Sequence, residues 1–237
     1  MKNVLILGHK GMLGHMVSKL LIYKGVEVIT INDRWSGLGF KNTIKDFDGE
    51  YIINCVGAIH QKTKQFDINW ELPQWLDENV NCKIIHPGTD CEMDNDNYGL
   101  SKKKASDFIL KHGQNTKILK ASIIGPELNS NFSLLEWFLS QEKEVFGYTK
   151  AIWNGVTTYE WAKQCLELIN NWDTYKSLTT LSSDPISKYE LLKTIKDVYN
   201  KDINIIPKEL GEDKTLIGDI KTMNIKKQII ELKSLTL

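Results

Sequence analysis

The chain has 237 residues, 41% of them hydrophobic, and its 30 basic side chains balance 30 acidic ones. That length holds one large domain, or one domain with an appendage, and needs no covalent staples; the zero net charge argues against a dedicated nucleic-acid binder, which carries a basic excess. Four scattered cysteines with no C-x-x-C pair, and only five histidines, exclude a spaced zinc site, and no apolar run approaches the roughly 18 residues of a membrane span, so a cytoplasmic protein without membrane contact is expected.

NVLIL (3–7) is a continuous apolar run, the pattern of a strand covered on both faces. GHKGMLGHMVSKLLIYKG follows, where Met12, Val17, Leu20 and Leu21 repeat with helical spacing and Gly25 stops the helix. VEVITI (26–31), YIINCVGA (51–58), KIIHPG (83–88) and TKILKASIIG (116–125) read as further strands. Helical patterns lie between them at 40–47, 69–79 and 102–111. Strands alternating with helices predict parallel βαβ units. The fold class is therefore α/β, a doubly wound, Rossmann-type parallel sheet over residues 1–125. About 18 residues separate the second strand from YIINCVGA, too few for another strand–helix unit, so the sheet is abbreviated there.

Beyond Gly125 the rhythm changes. Helices are predicted at 134–140, 159–172 and 188–200, with short strands SLTTLSS (177–183) and INIIP (203–207) among them. The tail, MNIKKQIIELKSL, reads as a closing helix. Residues 126–237 thus form a smaller α/β substrate lobe, with room to interleave with the first.

The chemistry starts at GHKGMLG. Gly8 permits a tight turn after the first strand, Gly11 lets backbone approach a pyrophosphate, and Gly14 lets the helix pack closely. The first helical residues, Met12 and Leu13, lie where free N–H groups and the positive end of the helix dipole meet phosphate. A dinucleotide is the implied ligand. The second strand ends in INDRW, where Asp33 suits a free ribose 2′-hydroxyl and Arg34 a 2′-phosphate. Both are present, and the charge-assisted pair that Arg34 offers favours NADP(H) over NAD(H).

HPGTDCEMDNDNYGLSKKK (86–104) contains Tyr98 and Lys102, one helical turn apart. Tyr159/Lys163 and Tyr189/Lys193 repeat that spacing, so the pair alone identifies nothing. A lysine beside a phenol favours phenolate and is expected to lower its pKa, making such a tyrosine a workable proton donor.

Taken in order, these residues resemble the extended short-chain dehydrogenases/reductases, and within them the nucleotide-sugar branch that includes dTDP-4-dehydrorhamnose reductase. GHKGMLG stands at the glycine motif, INCVGA (53–58) is similar to V-N-A-A-A, and INWELP (68–73) to the asparagine-bearing helix that follows it. GTD (88–90) resembles S-T-D, and YGLSK (98–102) resembles Y-G-x-S-K. SNFSLL (130–135) and WNGVTTYEWAK (153–163) resemble substrate-lobe segments. The likeness runs nearly the whole length and selects Tyr98/Lys102, which follow a strand end carrying Thr89.

The resemblance implies an oxidoreductase that reduces a nucleotide-linked 4-keto-6-deoxy sugar with NADPH. It makes Tyr98 the proton donor, Lys102 the holder of the nicotinamide ribose and Thr89 a hydrogen-bond partner of the reacting oxygen. It places Val56, Gly57 and Ala58 at the cofactor, and Asp90, Ile123, Asn131, Trp153 and Asn154 at the sugar nucleotide; Trp153 before Asn-Gly equally suits a core anchor for a turn. A nucleotide-sugar substrate is the expected partner, with a homodimer left open. Two departures stand out: glycine replaces serine in GTD, and the segment from Asp90 to Tyr98 is much shorter than in the relatives. An epimerase on the same scaffold, or a silent NADP(H)-sensing regulator, are the rival readings.

Overall fold

The computed structural model describes residues 3–236. The opening apolar run is β1 (Asn3–Leu7), with Val4, Leu5, Ile6 and Leu7 all at most 1% exposed. Helix α1 (Met12–Tyr23) follows and buries Leu13, Met16, Val17, Leu20 and Leu21, one face of a 3.6-residue repeat. It ends where Gly25 takes φ 75° and the Val26 N–H bonds the Leu21 carbonyl at 3.0 Å. The chain continues through β2 (Glu27–Thr30), α2 (Leu38–Lys45), β3 (Tyr51–Asn54), α3 (Ile68–Asn79) and β4 (Lys83–Gly88). A short 3-10 turn (Asp90–Met93), α4 (Asn97–His112) and β5 (Thr116–Lys120) complete this half.

Next come β6 (Ile123–Ile124), α5 (Leu134–Ser140), β7 (Glu144–Tyr148), β8 (Ile152–Trp153), β9 (Val156–Thr157) and α6 (Thr158–Asn170). The remainder is β10 (Leu178–Ser182), β11 (Ile186–Ser187), α7 (Lys188–Tyr199), β12 (Asn204–Lys208), β13 (Ile220–Lys221) and α8 (Ile225–Thr236). Among the described residues no helix is long and apolar enough to cross a membrane.

A seven-stranded sheet runs in the order β13-β10-β5-β4-β3-β1-β2. The pairings of β1 with β2 and β3, of β3 with β4, and of β4 with β5 are all parallel. β2 is the edge strand and only α2 connects it to β3, which lies on the other side of β1. This reversal of strand order at β1/β3 opens a crevice beyond the carboxyl ends of those strands, the general ligand position in doubly wound sheets.

Two expectations need correction. TKILKASIIG is not one strand: the chain leaves the main sheet after Lys120, and β6 pairs instead with β9, in parallel. SLTTLSS belongs to the main sheet and not to the minor elements, because β10 lies between β5 and β13. Its residues Thr179, Thr180, Leu181 and Ser182 are all buried, as an interior parallel strand requires; the threonines hid that from a reading of hydrophobicity.

The chain divides into two compact units: Met1–Lys120 with Ala162–Thr179, and Ala121–Trp161 with Thr180–Leu237. The first has a core of Leu5, Leu7, Phe40, Ile44, Ile52, Leu72, Leu76, Val80 and Ile84, one layer between the sheet and α2/α3. Each such side chain contributes about 1.5–3 kcal/mol on burial. In the second unit β7 and β12 pair in parallel, and α7 packs on β7 and α8. Helix α7 starts at Ser187, whose hydroxyl accepts the Glu190 N–H at 3.2 Å, and ends at Asn200 with φ 53°.

Candidate active site

The first unit gathers most of the expected site residues at the carboxyl ends of β1, β3 and β4. At the β1 end Gly8 has φ 76°, and a Cβ there would stand 2.9 Å from the Cys55 carbonyl carbon. The turn closes with a Gly11 N–H to Gly8 carbonyl bond of 2.9 Å. A Cβ on Gly14 would fall 2.2 Å from the Gly8 carbonyl oxygen, so the helix can lie this near the turn only with glycine there. Helix α1 has no side-chain cap and no acidic residue in its first turn. Among the described residues no side chain caps the first N–H groups of the helix, at Met12 and Leu13, a setting that favours an anion.

Asp33 and Arg34 lie after β2, both exposed. The Asp33 carboxylate leans over the start of α2, 3.6 Å from where a Gly39 Cβ would be. Neither side chain makes a hydrogen bond or ion pair among the described residues.

Beyond β3 the loop carrying Val56, Gly57 and Ala58 is held by two asparagines. Asn54 Oδ1 accepts the Val56 N–H at 3.2 Å. Asn69, on α3 and 1% exposed, accepts the Ala58 N–H at 2.7 Å and donates to the Ala58 carbonyl at 3.1 Å. It also donates to Ser101 Oγ at 3.0 Å, tying this loop to α4. Asn69 sits in the motif INWELP, yet its positioning role was not in the sequence-derived set; the available signal was a short amide inside an otherwise amphipathic helix.

Helix α4 starts at Asp96, whose side chain accepts the Gly99 N–H at 2.7 Å, so Tyr98 lies in its first turn and Lys102 in the second. The Tyr98 ring packs against His60, with centroids 5.1 Å apart, and Phe66, 5.8 Å apart. Its hydroxyl makes no hydrogen bond among the described residues. His60 Nε2 in turn meets Asp96 Oδ2 at 3.1 Å. The phenol pKa is raised, contrary to the expectation from its lysine neighbour: burial is the largest cause, followed by Cys91, Asp90, Asp96 and Glu92. Lys102 is 6% exposed and donates to the Pro87 carbonyl at 3.0 Å. Burial pulls its pKa down to about 8, against upward pushes from Glu92, Cys91 and Cys55. Behind it, His86 is neutral, its pKa held well below the ordinary value by burial and then by the Lys102 charge; Asn54 Nδ2 lies 3.3 Å from its Nδ1.

Thr89 follows β4 and caps the 3-10 turn. Its Oγ1 accepts the Cys91 N–H at 3.3 Å and donates to Asp90 Oδ1 at 3.0 Å. The hydroxyl is thus present at the site but already serves as a cap.

The remaining expected residues belong to the second unit. Ile123 is half-buried on β6, and Asn131 is exposed before α5. The Trp153 ring covers Gly155, where a Cβ would lie 2.4 Å from Cζ2. Asn154 is 5% exposed; its amide donates to the Leu216 carbonyl at 2.8 Å and accepts the Leu216 N–H at 2.9 Å. It holds that loop with both ends of the side chain. The spare pair Tyr189/Lys193 lies on α7, with the Lys193 ammonium 5.2 Å from the tyrosine ring centroid and bonded to Glu190.

No protein-family model and no curated protein matches the sequence, but solved structures do. A dTDP-4-dehydrorhamnose reductase from Clostridium acetobutylicum is 19% identical with a TM-score of 0.77, 99% of each chain being covered. The dTDP-4-dehydrorhamnose reductase from Bacillus anthracis, in complex with NADP, is 14% identical with a TM-score of 0.81, over 99% of this chain and 100% of that one. A UDP-N-acetylglucosamine 4-epimerase from Bacillus cereus is 18% identical with a TM-score of 0.74, over 99% and 96%. At these identities the likeness establishes the architecture: this chain has the α/β fold of nucleotide-sugar reductases and epimerases.

Proposed function

We propose that the chain is an NADPH-dependent reductase of a nucleotide-linked 4-keto-6-deoxy sugar. The observation that carries this reading is the convergence of the glycine turn, the loop at 56–58, Thr89 and the Tyr98/Lys102 pair at the carboxyl ends of β1, β3 and β4. The fold shared with a reductase solved in complex with NADP supports it.

The residues fit a nicotinamide dinucleotide. The uncapped start of α1, kept open by Gly8, Gly11 and Gly14 and free of acidic side chains, suits the pyrophosphate. Arg34, exposed and with no side-chain hydrogen bond or ion pair among the described residues, suits a 2′-phosphate, and Asp33 would meet the ribose. Val56, Gly57 and Ala58 would line the nicotinamide side, with Lys102 bonding its ribose. When bound, the reduced nicotinamide supplies a hydride to the keto carbon.

The chain's own residues manage the proton. Because its pKa is raised, the Tyr98 phenol stays protonated through neutral pH, and among the described residues its hydroxyl makes no hydrogen bond that must break before it donates. Lys102 is a cation below about pH 8, one turn along the same helix, and would favour the phenolate left behind. Thr89 would turn to the reacting oxygen the hydroxyl proton it otherwise gives to Asp90, whose carboxylate is then free to accept from a neighbouring sugar hydroxyl. In the second unit Ile123, Asn131 and Trp153 are assigned to the sugar nucleotide, and Asn154 to holding the loop at Leu216.

The test is a screen of NADPH oxidation against 4-keto nucleotide sugars, with product analysis. Stoichiometric oxidation with formation of the 4-hydroxy product is expected. The epimerase reading, favoured by the fold shared with the 4-epimerase, requires interconversion of 4-epimers without net NADPH consumption. Tight NADPH binding with no turnover of any sugar would overturn the reductase in favour of a dinucleotide sensor.

A further inference from the structure

Residues 90–97 make a short bridge from β4 to the Tyr98 turn, and its first turn is closed reciprocally. Thr89 Oγ1 takes the Cys91 N–H, while Glu92 Oε1 takes the Thr89 N–H at 3.0 Å. The other carboxylate oxygen, Oε2, accepts from Lys120 Nζ on β5 at 2.8 Å, and the two side chains are only 7% and 15% exposed. Gly88 makes the room. A Cβ there would stand 3.1 Å from Glu92 Oε1, 3.0 Å from Lys120 Cβ and 2.9 Å from Ile118 Cγ2. Glycine in GTD and glutamate four residues on are therefore one packing solution.

Lys102 shares the same strand end: its Nζ bonds the Pro87 carbonyl at 3.0 Å, two residues before the Thr89 N–H that Glu92 Oε1 takes. The groups whose charge acts on that ammonium are Glu92 and Cys91 from the 3-10 turn and Cys55 beyond β3, and its own charge acts on His86 of β4. Burial holds the Cys55 thiol up at about 12 and the His86 imidazole well down, so both are neutral at pH 7. Tyr98, one turn back on the same helix, keeps its proton. Glu92 is thus the carboxylate acting on Lys102 among the described residues.

We propose that Glu92 is a positioning residue: clamped by Lys120, it holds the turn that carries Thr89 and is the anion against which the Lys102 ammonium is kept. Its effect on turnover rests on the role given to Lys102 above; its effect on Lys102 itself does not.

The test is Glu92→Gln, which retains an oxygen for the Thr89 N–H and removes the charge. Lysine 13Cε NMR follows the titration of Lys102, assigned by the resonance lost in Lys102→Arg. In the parent protein the midpoint is expected near 8. In Glu92→Gln it should fall by about one pH unit or more, the scale for loss of a nearby opposite charge, and the alkaline limb of kcat/KM should move down with it. The double variant Glu92→Gln/Lys120→Gln removes both buried charges if the single one does not fold. Lys120 is not among the groups acting on Lys102, so the same downward shift is expected. An unmoved Lys102 midpoint in either folded variant overturns the proposal. A shifted midpoint with an unmoved kcat/KM limb supports the hold of Glu92 on Lys102 and removes Lys102 from the proposed chemistry.

Discussion

Tyr98→Phe deletes one oxygen and keeps the ring. The phenol hydroxyl makes no hydrogen bond among the described residues, and the ring contacts with His60 and Phe66 survive the change. No hydrogen-bond partner among the described residues is left unpaired, so the variant should stay within about 1 kcal/mol of the parent. Turnover should respond differently. A positioned general acid contributes about 10²–10⁴ in rate, roughly 3–5 kcal/mol of barrier. Single-turnover NADPH oxidation on a competent sugar, beside a thermal melt and an NADPH titration, separates the two effects. Tyr189→Phe on α7 is the control, expected within a few-fold of the parent. If Tyr98→Phe melts normally, binds NADPH and retains more than a tenth of the rate, Tyr98 is not the proton donor.

Lys102 should show a conflict between stability and function. Its pKa falls from 10.5 to about 8 on burial, so the unfolded chain holds more protons than the folded one between those values. Stability therefore rises as pH climbs from about 8 to 10.5, and below 8 the buried charge costs roughly 3 kcal/mol. Lys102→Met should stabilise the protein by about 2 kcal/mol at pH 7, after loss of the Pro87 bond, while NADPH binding weakens; a destabilised variant in urea melts contradicts this. Arg34→Ala should weaken NADPH by about 1.5–3 kcal/mol, the range for charge-assisted bonds, and leave NADH nearly unchanged, so equal losses in paired titrations would point to Asp33 instead. Gly14→Ala puts a Cβ 2.2 Å from the Gly8 carbonyl oxygen and should cost about 1–3 kcal/mol by overpacking. NADPH affinity should fall too, and a variant with parental melting and binding would show that α1 does not need to sit so close to the turn.

Much was readable from sequence because it depends on neighbours along the chain. The run NVLIL, the glycines at 8, 11 and 14 and the helical spacing of Met12, Val17, Leu20 and Leu21 specify a strand, a turn and a helix within 23 residues. Helix α5 and strand β4 match their predicted limits for the same reason. Order along the chain also places Tyr98/Lys102, unlike two look-alike pairs, on the helix that follows β4. What depended on distant partners was not readable. The place of β10 beside β5 is set by sheet topology, which its adjacent threonines Thr179 and Thr180 conceal. Asn69 reaches back 11 residues to Ala58 and forward 32 to Ser101, and Glu92 finds Lys120 28 residues on. The titration of Tyr98 is the sharpest case. Its spacing from Lys102 argues for a lowered pKa, but burial against His60 and Phe66 and the acidic groups around it raise it. Local spacing determines which groups share a helix face. How well water reaches them, and therefore which charges they carry, is decided only when the chain folds around them.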